Sequence, residues 1–255
     1  MGTEPTLDGI DSRSLDRTGS VPPALPGHQR LLRVVMAVAI VGGPPCYDLG
    51  GVLSPSIHES GQASIAASLA ANPVTDTIHL VAFVLASYLL PIGAVGLAYL
   101  AYPRTPWLAT VAGLLAVVGW LPFSGLTALD DLIRVMADMP NASSYSDLLD
   151  RFSTDAVMTS YLLVYVVGHL VAYVLFGIAL RRAGVIPRWA AWSMIASSPL
   201  TIIAFALPVN TRVTGAIALS LLVVGSIPAA RAILAGPADE GVRTTPAPAR
   251  PVVEP

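Results

Sequence analysis

Six long apolar runs dominate this sequence, and they constrain its fold more than any other feature. A helix needs about 20 apolar residues to cross the hydrocarbon core of a bilayer, and each run is long enough. Because backbone polar groups inside a membrane must be satisfied within the protein, runs of this kind form helices. The sequence therefore predicts an all-α, polytopic transmembrane helical bundle with six spans, at about residues 32–54, 78–101, 107–129, 156–180, 189–208 and 213–235.

Charged residues are scarce and lie mostly between the spans. They make up 12% of the chain, against about 25% in a typical soluble domain. The segments outside the first and last spans are polar and contain several prolines. We expect disordered tails at 1–29 and 237–255, and a transmembrane domain at 30–236.

Arginine placement predicts the orientation of the bundle. All 14 basic residues are arginine, and eleven of them lie in the two tails or in the connections after spans 2 and 4, which fall on one side. The other three are Arg134, Arg151 and Arg212. Since cytoplasmic loops are enriched in Lys and Arg, both termini are predicted to be cytoplasmic. Arginine without lysine, beside much alanine, glycine and proline, is typical of a GC-rich genome and indicates a bacterial cytoplasmic membrane.

The opposite side carries acidic connections, of which the second, "DDLIRVMADMPNASSYSDLLDRFSTD", is too long for a simple turn. Its apolar residues between Leu132 and Met136 predict a short amphipathic helix, broken at Pro140, and "SDLLDRF" predicts a second helical turn or two. The segment lies on the membrane surface, caps the bundle or forms a solvated acidic loop.

Span 1 contains "GGPPCYDLGG", Gly42 to Gly51, which places helix breakers around a carboxylate. Because two prolines remove two backbone donors, we expect an irregular span here. Asp48 beside such a break is either an ion or proton site of the kind found in transporters, or a structural group that hydrogen-bonds the freed backbone.

Span 4 carries a polar stripe with a spacing of four residues: Tyr161, Tyr165, His169 and Tyr173. One interpretation is a proton relay or a polar ligand site built on Tyr165, His169 and Tyr173. The other is an interhelical hydrogen-bond seam with Ser193, Ser197 and Thr201 of span 5. In either case His169 should face another helix and not lipid.

A metal site is a further hypothesis, because histidines and carboxylates bind zinc. The candidate ligands on the acidic side are Asp48, His58, His79, Asp130 and Asp131. None of them has close ligand spacing, no HExxH motif occurs, and one cysteine excludes a cysteine cluster. We expect no bound cofactor.

The connector "GIALRRAGVIPRWAAW", which follows the His169 span, resembles one in uncharacterised six-span bacterial integral membrane proteins. The resemblance covers spans 4 and 5. It implies the six-span fold and no particular activity.

Three functions are compatible with these patterns. The first is a non-enzymatic binding, assembly or regulatory membrane component. The second is a small proton- or ion-coupled transporter using Asp48 and His169, and the third is an intramembrane metal-dependent hydrolase. The expected partners are the lipid bilayer and a small molecule or ion. Nucleic acid is not expected, because no basic patch with interleaved aromatic residues occurs, and protein partners are not indicated.

Overall fold

The computed structural model describes residues 26–56, 59, 61–207 and 209–236, and the predicted tails lie largely outside this part. All regular structure in the described residues is helical. The helices are α1 (Gly27–Leu53), α2 (Gly61–Ala70), α3 (Pro73–Ala101), α4 (Pro106–Ala137), α5 (Ser146–Thr154), α6 (Ala156–Arg182), α7 (Arg188–Ala206) and α8 (Thr211–Ala235), with a 3-10 turn at Ala142–Tyr145.

Six of these helices are long and apolar enough to span a membrane: α1, α3, α4, α6, α7 and α8. They correspond in order to the six predicted spans, so the all-α, six-span prediction is confirmed. The start of the second spanning helix differs from the prediction, which placed it near residue 78. Helix α3 starts at Pro73, because the Asn72 side chain accepts hydrogen bonds from the Val74 and Thr75 amides and caps the helix.

The six long helices form a closed ring. Each packs against the next long helix in the chain, and α8 returns to pack against α1. The short connections α3–α4, α6–α7 and α7–α8 favour packing between antiparallel neighbours, as in other helix bundles.

A small layer covers one end of the ring, and we call it the cap: α2, the 3-10 turn and α5. Helix α4 reaches this layer because it continues to Ala137, so the amphipathic helix predicted near Leu132–Met136 is the last part of α4. Ile65 of α2 and Leu149 of α5 pack against Ile133, Met136 and Ala137 of α4. The predicted helix around "SDLLDRF" is confirmed as α5. We call this the capped end and the opposite one the arginine end.

The irregularity predicted in span 1 is wrong, because α1 is one continuous α-helix from Gly27 to Leu53 that includes Pro44 and Pro45. Its glycines serve close packing against α3. A Cβ at Gly43 would lie 3.0 Å from the Leu90 side chain, and one at Gly50 would collide with the Phe83 ring. Prolines are tolerated in transmembrane helices where neighbouring groups satisfy the freed backbone.

Candidate functional site

A cluster of aromatic side chains fills the capped half of the ring. The Tyr47 and Tyr165 hydroxyls are 2.6 Å apart and share a hydrogen bond between α1 and α6. Phe83, Trp120 and Phe123 surround the Tyr47 ring with centroids at 5.7, 5.3 and 5.1 Å. These separations are typical of favourable aromatic pairs.

His169 lies at the edge of this aromatic cluster and is buried, as predicted. Its ring stacks at 4.6 Å from Trp120 of α4, and its Nδ1 bonds the Tyr165 carbonyl one turn earlier on α6. With the carbonyl as acceptor, Nδ1 carries the proton. Tyr173 is also buried beside Trp120, at 6.4 Å between centroids.

The hydrogen-bond seam predicted between spans 4 and 5 is wrong. Ser193, Ser197 and Thr201 donate to carbonyls of their own helix α7, and serine and threonine in helices readily form such bonds. Ser198 instead donates across the interface to the Leu170 carbonyl of α6. The stripe of α6 therefore faces α1 and α4, and not the hydroxyls of α7.

The second polar group joins α3 to α4, and we call it the His79 cluster: Asp76, His79 and Asp130. His79 is buried, and its Nδ1 lies 3.1 Å from Asp76 Oδ1, three residues earlier on the same helix. Its Nε2 lies 3.6 Å from Asp130 Oδ2 of α4. This second distance suits an ion pair but exceeds a normal hydrogen bond.

The proposed metal ligands do not converge. His79 and Asp130 are neighbours, but Asp131 pairs with Arg134 at 2.6 Å and is exposed. His58 lies outside the described residues, and Asp48 belongs to the separate cavity described next. The His79 ring also presents its two nitrogens to two different carboxylates, so these groups do not surround one point. Among the residues described, no three His, Cys, Asp or Glu side chains are placed to hold a metal ion.

Asp48 borders a cavity of about 40 Å³ between α1, α7 and α8, together with Thr201, Phe205 and Arg212. Its Oδ1 is buried and has no hydrogen-bond partner in the part of the chain described. One water molecule needs about 10–15 Å³ of such a cavity, so the cavity can hold a few waters. Tyr47 lines the same cavity and bonds Tyr165, but His169 does not line it.

Four residues of these sites were not among those predicted from the sequence: Tyr47, Asp76, Trp120 and Arg212. Asp76 was detectable, since "NP" at 72–73 is a helix start signal that puts Asp76 and His79 on one face. Trp120 was also marked by its position, because a tryptophan at mid-span does not belong to an interfacial belt. Tyr47 and Arg212 gave no such signal.

The buried ionisable groups are unevenly placed. Asp76, His79, His169 and the tyrosines lie in the capped half or at mid-depth. The arginine half of the ring is packed with small side chains, including Ala101, Ala109, Ala179 and Ala190, all fully buried. The buried ionisable groups of the described chain therefore lie toward one end of the bundle only.

Six apolar helices around a partly polar interior define a multi-pass integral membrane protein. Compared with known proteins, the chain matches no family model, no curated protein and no solved structure. The family resemblance of the connector after α6 therefore stays an interpretation of that connector.

Proposed function

We propose that this membrane protein is a non-enzymatic regulatory component in which the His79 cluster binds a proton and thereby controls the cap. The observation that carries the proposal is the burial of one imidazole between a carboxylate of its own helix and a carboxylate of the next. The described charged groups that face His79 are Asp76 on α3 and Asp130 on α4.

The number of protons on the His79 ring decides how many of the two carboxylates it can donate a hydrogen bond to. A neutral imidazole has one N–H, so donation to Asp76 leaves a lone pair facing Asp130. An imidazolium has two N–H groups and donates to both carboxylates, which draws α4 toward α3. Charge-assisted bonds of this kind are about twice as strong as neutral ones.

The cap is the element that such a change reaches first. Asp130 lies one turn before Ile133, and Ile133 belongs to the surface of α4 on which α2 and α5 pack. A displacement of α4 at Asp130 therefore moves the base of the cap. The one-sided polar interior also favours a component that responds at one face of the membrane.

Spin-label distances between the cap and the ring test this proposal. In a Cys46→Ser background, labels on Gln62→Cys of α2 and Ser160→Cys of α6 report the position of the cap in nanodiscs. Histidine is the side chain whose charge ordinarily changes between about pH 5 and pH 8. We expect the distance distribution to be narrower at the acidic end of this range.

The controls separate the His79 cluster from general acidity. His79→Gln and Asp130→Asn should remove the pH response, whereas Asp131→Asn should retain it, because that neighbouring carboxylate is exposed and bonded to Arg134. A pH response that survives in His79→Gln would overturn the proposal.

A proton- or ion-coupled transporter is the second candidate. It is favoured by the cavity at Asp48, which is large enough to hold water. Transport through Asp48 and His169 together would require a rearrangement, since Tyr47 separates His169 from the cavity. Proteoliposomes loaded with a pH-sensitive dye test it: flux should be lost in Asp48→Asn and kept in Asp138→Asn, an exposed carboxylate. No flux with the unaltered protein would exclude proton transport.

The metal-dependent hydrolase is the least supported candidate. It would need His58 to join His79 and Asp130 around one ion, although these two already face each other. The location in a bacterial cytoplasmic membrane and the inward orientation of both termini remain part of the proposal.

A further inference from the structure

A groove of about 1200 Å³ lies on the outer surface of the arginine end. Its walls come from α3, α4 and α8, with contributions from the α3–α4 turn and the start of α1. Val95, Leu114 and Val117 form an apolar side, while Arg33 and Arg104 lie at the mouth. The groove exceeds the range of about 300–1,000 Å³ that holds drug-sized ligands.

The depth of the groove corresponds to one leaflet. It extends along α4 from the turn at Arg104 to Val117, and the eleven helical steps from Pro106 to Val117 rise roughly 16 Å at 1.5 Å per residue. The hydrocarbon core of a bilayer is about 30 Å thick. Exposed Trp107 and Tyr102 lie at the same end, where aromatic side chains meet the headgroup region.

Within the described part of the chain, the charged side chains at this end are of one sign. Arg33, Arg104, Arg182 and Arg188 lie here, whereas every Asp and Glu among the described residues lies in the capped half or in the connections beside it. Basic pockets between transmembrane helices attract anionic lipid headgroups. Arg104 also holds the turn before α7, because its Nη1 donates to the Ala183 carbonyl at 2.6 Å, and this bond fixes the guanidinium at the mouth.

We propose that the groove binds one anionic glycerophospholipid, with its phosphate at Arg33 and Arg104 and an acyl chain along Val95, Leu114 and Val117. The apolar walls of the groove suit an acyl chain, and the two guanidinium groups favour a negatively charged headgroup. This site is independent of the His79 cluster and lies at the other end of the molecule.

Native mass spectrometry of the full chain, released from nanodiscs of phosphatidylglycerol and phosphatidylcholine, tests the headgroup contact. Each basic residue contributes about fivefold to affinity for an anionic surface, so Arg33→Gln with Arg104→Gln should retain phosphatidylglycerol roughly 30-fold less. Arg182→Gln, exposed at the same end but outside the groove, is the matched control. Unchanged retention in the double variant would overturn the proposal.

A second pair of variants tests the acyl contact. Leu114→Trp fills the groove and should reduce retention, whereas Leu163→Trp should not, because Leu163 is equally exposed, at 62% against 63%, but lies on α6 outside the groove. Equal retention in both variants would contradict the assigned path of the chain.

Photo-crosslinking identifies the occupant directly. A benzophenone amino acid at Leu114 should capture lipid from the nanodisc. Capture of residues 237–255 of the same chain, or of a second copy, would overturn the lipid proposal. Displacement of phosphatidylglycerol by inorganic phosphate would show an anion site that does not need a lipid and would overturn it too.

Discussion

At the scale of single residues, the interior depends on polar atoms that satisfy one another across helices. The Tyr47–Tyr165 bond is the clearest case, because its two hydroxyls come from α1 and α6 and meet inside an aromatic cluster. Removal of one partner leaves the other hydroxyl buried without a bond, while removal of both leaves a matched apolar contact.

This asymmetry gives a residue-scale prediction. Tyr165→Phe should lower the free energy of unfolding by about 1–3 kcal/mol, and the double variant Tyr47→Phe with Tyr165→Phe should lose less than the single one. Tyr161→Phe, one turn away on α6, should change it by no more than about 0.5 kcal/mol. Denaturation in mixed micelles measures all three, and additive losses would show that the hydroxyls are not coupled.

At the scale of helices, glycine sets how closely neighbours approach. Gly119 of α4 and Gly168 of α6 face each other, and a Cβ at Gly119 would lie 2.5 Å from the His169 amide nitrogen. The obstacle is backbone, so it cannot rotate away as a side chain would. Small residues at such crossings are the usual means of helix association in membranes.

The element-scale prediction is that Gly119→Ala forces α4 and α6 apart. Overpacking of this kind costs about 1–3 kcal/mol, and it should also move Trp120 relative to His169. Gly215→Ala of α8 is the matched control, because nothing lies within 4 Å of its added methyl group; it should leave stability equal or raise it slightly. Thermal unfolding in detergent compares the two, and equal midpoints would contradict the close crossing.

At the scale of the whole molecule, charge is separated along the bundle axis. Of the charged residues that the structure describes, most arginines lie at one end of the ring, and the carboxylates lie in the capped half and in the connections beside it. This separation predicts the orientation in the membrane, with the arginine end in the cytoplasm.

Reporter fusions test that orientation. Fusions after Arg104 and Arg182 should report a cytoplasmic location, and fusions near Ser64 and Ser144 an external one. Because Ser64 and Ser144 lie on α2 and in the 3-10 turn of the cap, a cytoplasmic signal there would invert the whole arrangement and place the proposed lipid groove in the outer leaflet.

The number, order and type of the spanning helices follow from the amino-acid sequence alone, because apolar length is a local property of each segment. The burial of His169 follows from the sequence as well, since an imidazole is too costly to place in lipid. The prediction from the sequence was wrong at α1, where Pro44 and Pro45 indicated a break. At α3 the Asn72 cap was not recognised, so the predicted helix began after Asp76.

Which polar groups meet depends on how the six helices pack together. Asp130 reaches His79, and Tyr165 reaches Tyr47 rather than α7, because the ring brings together residues that are 51 and 118 positions apart in the sequence. No periodicity within one helix encodes such a pair. The closed ring also packs α1 closely against α3 on both sides of Pro44 and Pro45. The sequence of α1 alone does not contain this contact.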